Sequence, residues 1–198
     1  TMHSKIVLIS TAFLLIVGTA LTLCFEYNNP LTMEGLPLTD KIQAAFFQSV
    51  TTRTAGFASL PQENLKNPTA ILSLLLMFIG GSPVGTAGGI KTVTAAVLLS
   101  ITVSMISGKN SVSLFGRTIS KQAVYKAVAV TVMSFSVMFV STLLLSAVTN
   151  APALDILFET VSATATVGLS RSLTGTLNLL GKIIIIFTMY FGRVGPIS

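Results

Sequence analysis

Apolar residues in this chain neither alternate nor keep to one helical face; they fill long uninterrupted runs between short polar stretches. Residues 6–25 and 67–90 carry no charged side chain, and after Lys91 the uncharged stretch continues over 92–108. Residues 127–154 form another uncharged run, and a last apolar stretch begins near 177, interrupted only by Lys182 and Arg193. A bilayer core about 30 Å thick needs about 20 apolar residues of helix. The pattern therefore predicts four spanning helices, the second of them broken. The first run is expected to be a retained helix, because no small-residue cleavage site precedes Glu26 and further spans follow.

Composition agrees. Of 198 residues, 52% are hydrophobic and 9% charged, with a mean hydropathy of +0.84. Soluble domains carry about 25% charge, so this chain lacks the polar surface of a globule and reads as an all-α, multi-pass membrane protein lying in lipid. The net charge of +6 is spread singly between apolar runs. No basic stripe with interleaved aromatics exists, which argues against a nucleic-acid partner. The acids Glu26, Glu34, Asp40, Glu63, Asp155 and Glu159 all lie between runs one and two or between runs three and four. The connection after run two holds Lys109, Arg117, Lys121 and Lys126 and no acid. The positive-inside rule therefore puts that connection and the N-terminus on the cytoplasmic side. Cys24 is the lone cysteine, so it forms no intrachain disulfide and reads as a packing residue.

The two outward connections resemble each other. Superposing Gly56 on Gly168, an offset of 112, aligns Phe46 with Phe158, Thr52 with Thr164 and Thr54 with Thr166. In each copy a short apolar stretch, too short to span, leads into a Thr-x-Gly cluster between two spanning runs. The chain thus divides into two tandem helix–pore-loop–helix units with re-entrant segments, 1–108 and 109–198. Non-helical backbone at membrane depth is tolerated only where it lines a cavity or is buried in protein. Thr54-Ala55-Gly56-Phe57 and Thr166-Val167-Gly168-Leu169 are similar to the Thr-Val-Gly-Tyr-Gly filter of potassium channels. In such a filter, carbonyls replace the hydration shell of a cation, and glycine permits the backbone angles this requires. The short helix before each cluster would turn its negative C-terminal end toward the ion. An ordinary polar loop with a turn glycine is the plainer alternative for one cluster, and a poor one for two in equivalent places.

Three stretches make the chain resemble the Trk/Ktr/HKT superfamily of potassium transporters, and within it the KtrB-type membrane subunits. They are Thr51-Thr52-Arg53-Thr54-Ala55-Gly56-Phe57, the string from Gly80 through Gly81, Ser82, Pro83, Gly85, Thr86, Gly88 and Gly89 to Lys91, and Gly192-Arg193-Val194-Gly195-Pro196. The resemblance implies four helix–pore-loop–helix repeats around one pore, of which these two look like the third and fourth. It implies potassium (K+) as the translocated ion, with sodium (Na+) dependence common in the group. It also implies a homodimer in the bacterial cell membrane and a cytoplasmic nucleotide-binding regulatory ring of the KtrA type.

Five glycines and Pro83 within 80–89 break the second run. Glycine and proline there cost about 1 and 3 kcal/mol each against alanine, and a broken membrane helix marks a cavity or a binding site. A phosphate-binding loop is excluded, because Ile90 separates Gly89 from Lys91. The resemblance implies a gating loop below the filter; a static kink is the alternative. Arg193 follows an uncharged run, so it is expected to face protein or water and not lipid; the resemblance implies that it points into the pore near that loop, and snorkelling to the inner interface is the alternative. Arg53 stands beside the first cluster and is expected to brace it from behind, with Asp155 and Glu159 both open as partners. A broken-helix permease for a small solute would explain the break and leave the two Thr-x-Gly segments unexplained. No carboxylate pair or metal-ligand spacing points to an enzyme.

Overall fold

The computed structural model describes residues 2–81, 88–108, 113–114 and 117–194. Helix α1, Met2–Glu26, is followed by α2, Leu38–Thr51, a 3₁₀ turn at Gln62–Asn64, and α3, Asn67–Phe78. After the glycine-rich stretch come α4, Thr92–Ile106, and a two-residue antiparallel ladder of β1, Ser113–Leu114, with β2, Arg117–Thr118. Then α5, Lys121–Val148, leads to α6, Ala153–Thr164, a second 3₁₀ turn at Thr174–Thr176, and α7, Leu179–Val194. Among the described residues, the regular elements are helical apart from that ladder, which the apolar pattern did not signal.

Local chemistry sets the boundaries. Pro37 and Pro152 precede α2 and α6, and each helix carries an acid in its first turn, Asp40 or Asp155, where the helix dipole favours it. The Ser120 side chain accepts the Ala123 N–H, so α5 begins six residues before the uncharged run 127–154. Lys121 and Lys126 consequently sit on its first turns. Pro68 stands in the first turn of α3, and the Asn178 side chain accepts the Gly181 N–H at the start of α7.

Among the described residues, α1 from Ser4 and α5 are long and apolar enough to cross a membrane. The second predicted span is divided between α3 and α4, which are 12 and 15 residues long. Its two halves stay together: Ile79 and Ile90 form a parallel bridge, the Ile90 N–H donates to the Phe78 carbonyl, and the Thr92 N–H donates to the Gly81 carbonyl.

Apolar side chains cover much of the outside, and polar ones stand among the apolar clusters within. Leu8, Phe13, Ile16, Phe135, Phe139, Leu143, Ile186 and Phe187 are exposed, while hydroxyls occupy the helix contacts. Thr188 Oγ1 donates to Ser141 Oγ between α7 and α5, Thr142 and Thr160 share a bond between α5 and α6, and Ser49 Oγ donates to the Leu15 carbonyl between α2 and α1. Gly18 lies so close to Ser49 that a Cβ there would stand 2.3 Å from its Oγ. Close small-residue contacts with shared hydroxyls are how helices associate where lipid supplies no hydrophobic drive.

Candidate ion-conducting segments

Each re-entrant helix ends by folding its following strand back onto its own last turn. After α2, the N–H groups of Ala55 and Gly56 both donate to the Thr51 carbonyl, and Thr51 Oγ1 donates to the Phe57 carbonyl. After α6, the Thr166 N–H donates to the Ala163 carbonyl, Val167 N–H to the Ser162 carbonyl, and Gly168 N–H to Ser162 Oγ. The orphan carbonyls of the helix end are thereby satisfied by the segment's own N–H groups.

The dihedral pattern is the same in both copies. Thr54 and Gly56 have φ of 69° and 78°, Thr166 and Gly168 have 54° and 95°, and the residue between each pair stays in negative φ. Alternating hand turns successive N–H groups to one side and successive carbonyls to the other. The N–H groups of Ala55 and Gly56 are tied to the helix end, and the Phe57 carbonyl is held there as well by Thr51 Oγ1. A threonine at positive φ is strained by about 1–3 kcal/mol, and such strain persists only where surroundings enforce it.

The two segments approach each other directly. A Cβ on Gly56 would lie 2.2 Å from the Val167 carbonyl oxygen, and one on Gly168 would lie 3.9 Å from the Gly56 Cα. Ala55 and Phe57 are exposed, and Val167 and Leu169 are buried. Arg53 reaches α1, where its Nη1 and Nη2 donate to the Thr11 carbonyl and hydroxyl, both at 3.5 Å. Neither acid left open from the sequence is that partner: Asp155 binds Arg171, and Glu159 accepts hydroxyls of Ser170 and Thr174.

The glycine-rich break meets the second segment. The Gly88 N–H donates to Thr166 Oγ1 at 2.9 Å, and a Cβ on Gly89 would lie 3.2 Å from that of Ala165. Gly80 backs onto Gly88, whose carbonyl would lie 2.4 Å from its Cβ. Gly81 is buried beside them. Ser82, Pro83, Gly85 and Thr86 lie outside the described residues. Lys91 is half-buried before α4, and Arg193 is exposed in the last turn of α7. Its neighbour Gly192 abuts α6, where a Cβ would meet the Thr164 carbonyl at 2.2 Å.

Sequence reasoning missed three supports of the segments. Behind the first, Gln48 and Gln62 exchange side-chain amide bonds at 2.8 and 3.0 Å. Behind the second, Glu159 borders a recess of about 260 Å³ with Thr166, Gly168, Ser170 and Thr174. At the C-terminal end of α1, buried Glu26 accepts from Asn29, Thr32, Thr69 and the Lys66 N–H, joining α1 to the start of α3. For Glu26 the available signal was its place at the end of the uncharged run 6–25.

The model of the TrkH family, a cation transport protein, matches residues 2–198. The chain is 40% identical over 198 residues to Ktr system potassium uptake protein B of Bacillus subtilis, which covers all of this chain and 44% of that protein. It is 41% identical over 199 residues to the potassium/sodium uptake protein NtpJ of Enterococcus hirae, covering 98% of this chain and 44% of that one. The solved potassium transporter TrkH of Vibrio parahaemolyticus shares the fold, with a TM-score of 0.76 at 22% identity over 96% of this chain and 42% of its own. The chain thus spans less than half the length of the relatives it matches.

Proposed function

Because the chain belongs to the TrkH family of cation transport proteins, we propose that it supplies two filter segments of a potassium-translocating membrane subunit. The observation that carries this reading is the alternation of φ at Thr54, Gly56, Thr166 and Gly168, repeated at an offset of 112. Carbonyls of Thr54, Ala55, Gly56 and Phe57 and of Thr166, Val167, Gly168 and Leu169 would replace water around K+. The two units, 1–108 and 109–198, would stand beside two further repeats of a longer subunit, closing four segments around one path. Sodium is the second ion of this reading, as a coupled or competing cation.

The gate of this proposal is the stretch Gly80, Gly81, Ser82, Pro83, Gly85, Thr86, Gly88 and Gly89, with Lys91 and Arg193 near it. Its docking point is Thr166, whose hydroxyl accepts the Gly88 N–H. A guanidinium below a cation filter opposes the cation, so Arg193 and the loop would close the same path. The permease alternative gives no role to the paired positive-φ segments. We further place the protein in a bacterial cell membrane as a homodimer, with the N-terminus cytoplasmic and a KtrA-type nucleotide-binding ring beneath it.

The test is potassium or rubidium uptake into proteoliposomes carrying the full-length protein. Uptake above protein-free vesicles, with K+ preferred over Na+, is expected. Flux no greater than that of empty vesicles would overturn the reading. Within it, Arg193→Ala should raise the initial uptake rate with little change in selectivity, and slower or unchanged uptake at equal abundance would reduce Arg193 to an anchor.

A further inference from the structure

Arg171 lies two residues beyond Leu169, at the outer end of the second segment. Only 9% of its side chain is exposed. Its Nε donates to Asp155 Oδ1 at 2.7 Å, within its own unit, on the first turn of α6. The rest of the fork crosses to the other unit. Nη1 donates to the carbonyls of Gln62 at 2.9 Å and Leu65 at 3.3 Å, and Nη2 donates to the Glu63 carbonyl at 3.3 Å. Phe158, fully buried at the centre of α6, holds its ring 6.0 Å from the guanidinium carbon.

One planar group therefore joins the outer loop behind the first segment to the start of the helix that carries the second. Its main-chain acceptors fall within 62–65, the stretch opened by Gln62, whose side chain is bonded to Gln48 of α2. The links run without interruption from α2 through Gln48, Gln62 and Arg171 to Asp155 and α6. A guanidinium spreads several donors in a fixed fork, whereas an ammonium is a compact point charge that cannot hold four acceptors in one plane. The close opposition of Gly56 and Val167 is the distance such a clasp would keep.

We propose that Arg171 is a positioning residue that fixes the spacing of the two filter segments, and so the size of the cation they enclose. This rests on the filter reading above. It touches no ion; it acts through the two outer loops. A clasp that only holds the fold together would change how much protein survives, whereas one that sets segment spacing changes which cation is preferred.

The experiment measures K+ and Na+ uptake kinetics by the full-length protein in proteoliposomes, for wild type, Arg171→Gln, Arg171→Lys and Asp155→Asn. Losing the charged fork should raise the KM for K+ about tenfold and lower K+/Na+ preference by a similar factor. The maximal rate per folded protein should stay within about twofold, because the gate is untouched. Arg171→Lys should fall between wild type and Arg171→Gln, and Asp155→Asn should move KM in the same direction by less. Unchanged KM and preference in Arg171→Gln, whatever its abundance, overturn the inference and leave the filter reading standing. Where Arg171→Gln does not fold, Arg171→Lys decides: a raised KM supports the clasp and a wild-type KM overturns it. A wild-type protein that moves no potassium removes the filter reading and this inference together.

Discussion

Equivalent residues of the two re-entrant units live in opposite surroundings. Phe46 is 51% exposed and its counterpart Phe158 is fully buried; Phe57 is 72% exposed and its counterpart Leu169 only 3%. Helix α6 packs against α3, α5 and α7, whereas α2 has α1 as its main neighbour. Yet both segments hold the same hand of backbone at the same two positions. The conformation is therefore set locally, by N–H groups folded onto the preceding helix end, and not by what lies outside. Packing decides how firmly the shape is held. The braces differ too: one unit uses two neutral amides, Gln48 and Gln62, which the offset of 112 places on Thr160 and Thr174, and the other uses a carboxylate, Glu159, bonded to two hydroxyls.

The largest expected contrast lies between the two glycines. At Gly56 a side chain meets both left-handed strain and the Val167 carbonyl, whereas at Gly168 it meets strain alone. Strain of about 1–2 kcal/mol corresponds to about tenfold in an equilibrium. Gly56→Ser in the full-length protein should therefore lose well over tenfold in K+/Na+ preference, and Gly168→Ser about tenfold, in competitive uptake assays. Equal losses would show that the segments do not oppose each other as described.

Next comes core packing. Phe158→Ala should cost about 3 kcal/mol, and Phe46→Ala less than about 1, in thermal unfolding of the 198-residue chain in detergent. Similar costs would mean that the outer face of α2 is covered. A smaller difference separates the braces. Glu159→Ala strips the Ser170 and Thr174 hydroxyls of a charged acceptor and should cost about 2 kcal/mol. Gln48→Ala should cost about 1 kcal/mol, because Gln62 Nε2 keeps the Leu60 carbonyl. The reverse order would make the amide pair the stronger brace. Smallest is the docking of the glycine stretch. Thr166→Val removes one acceptor, about 1 kcal/mol, and should speed uptake about fivefold. Thr54→Val is its control, and an equal acceleration there would detach the effect from Gly88.

The helices at 2–26 and 121–148 were legible because lipid demands long uncharged runs, and no other solvent does. The break after Phe78 was legible from its glycines, and the paired clusters from their offset. Their handedness was not. Threonine resists positive φ, so nothing at Thr54 or Thr166 announces it before the N–H bonds to the helix end are seen. Arg53 was expected to turn behind its segment with an acid as partner; its fork reaches Thr11, which stands 42 residues earlier in the chain, and no periodicity links the two. Arg171 escaped notice for the same reason. Its acceptors are backbone carbonyls more than 100 residues away, and a carbonyl belongs to every sequence.

The neck between Ile79 and Ile90 has a consequence for how such chains diversify. It is closed by main-chain bonds from Ile90 to Phe78 and from Thr92 to Gly81, which do not depend on the side chains between. The register of α3 against α4 is therefore held by residues on either side of 82–87 and does not pass through that stretch. Residues added or removed between Gly81 and Gly88 would leave the bonds that join α3 to α4 in place. A lineage can thus edit the sequence between these two glycines without rebuilding the scaffold around them.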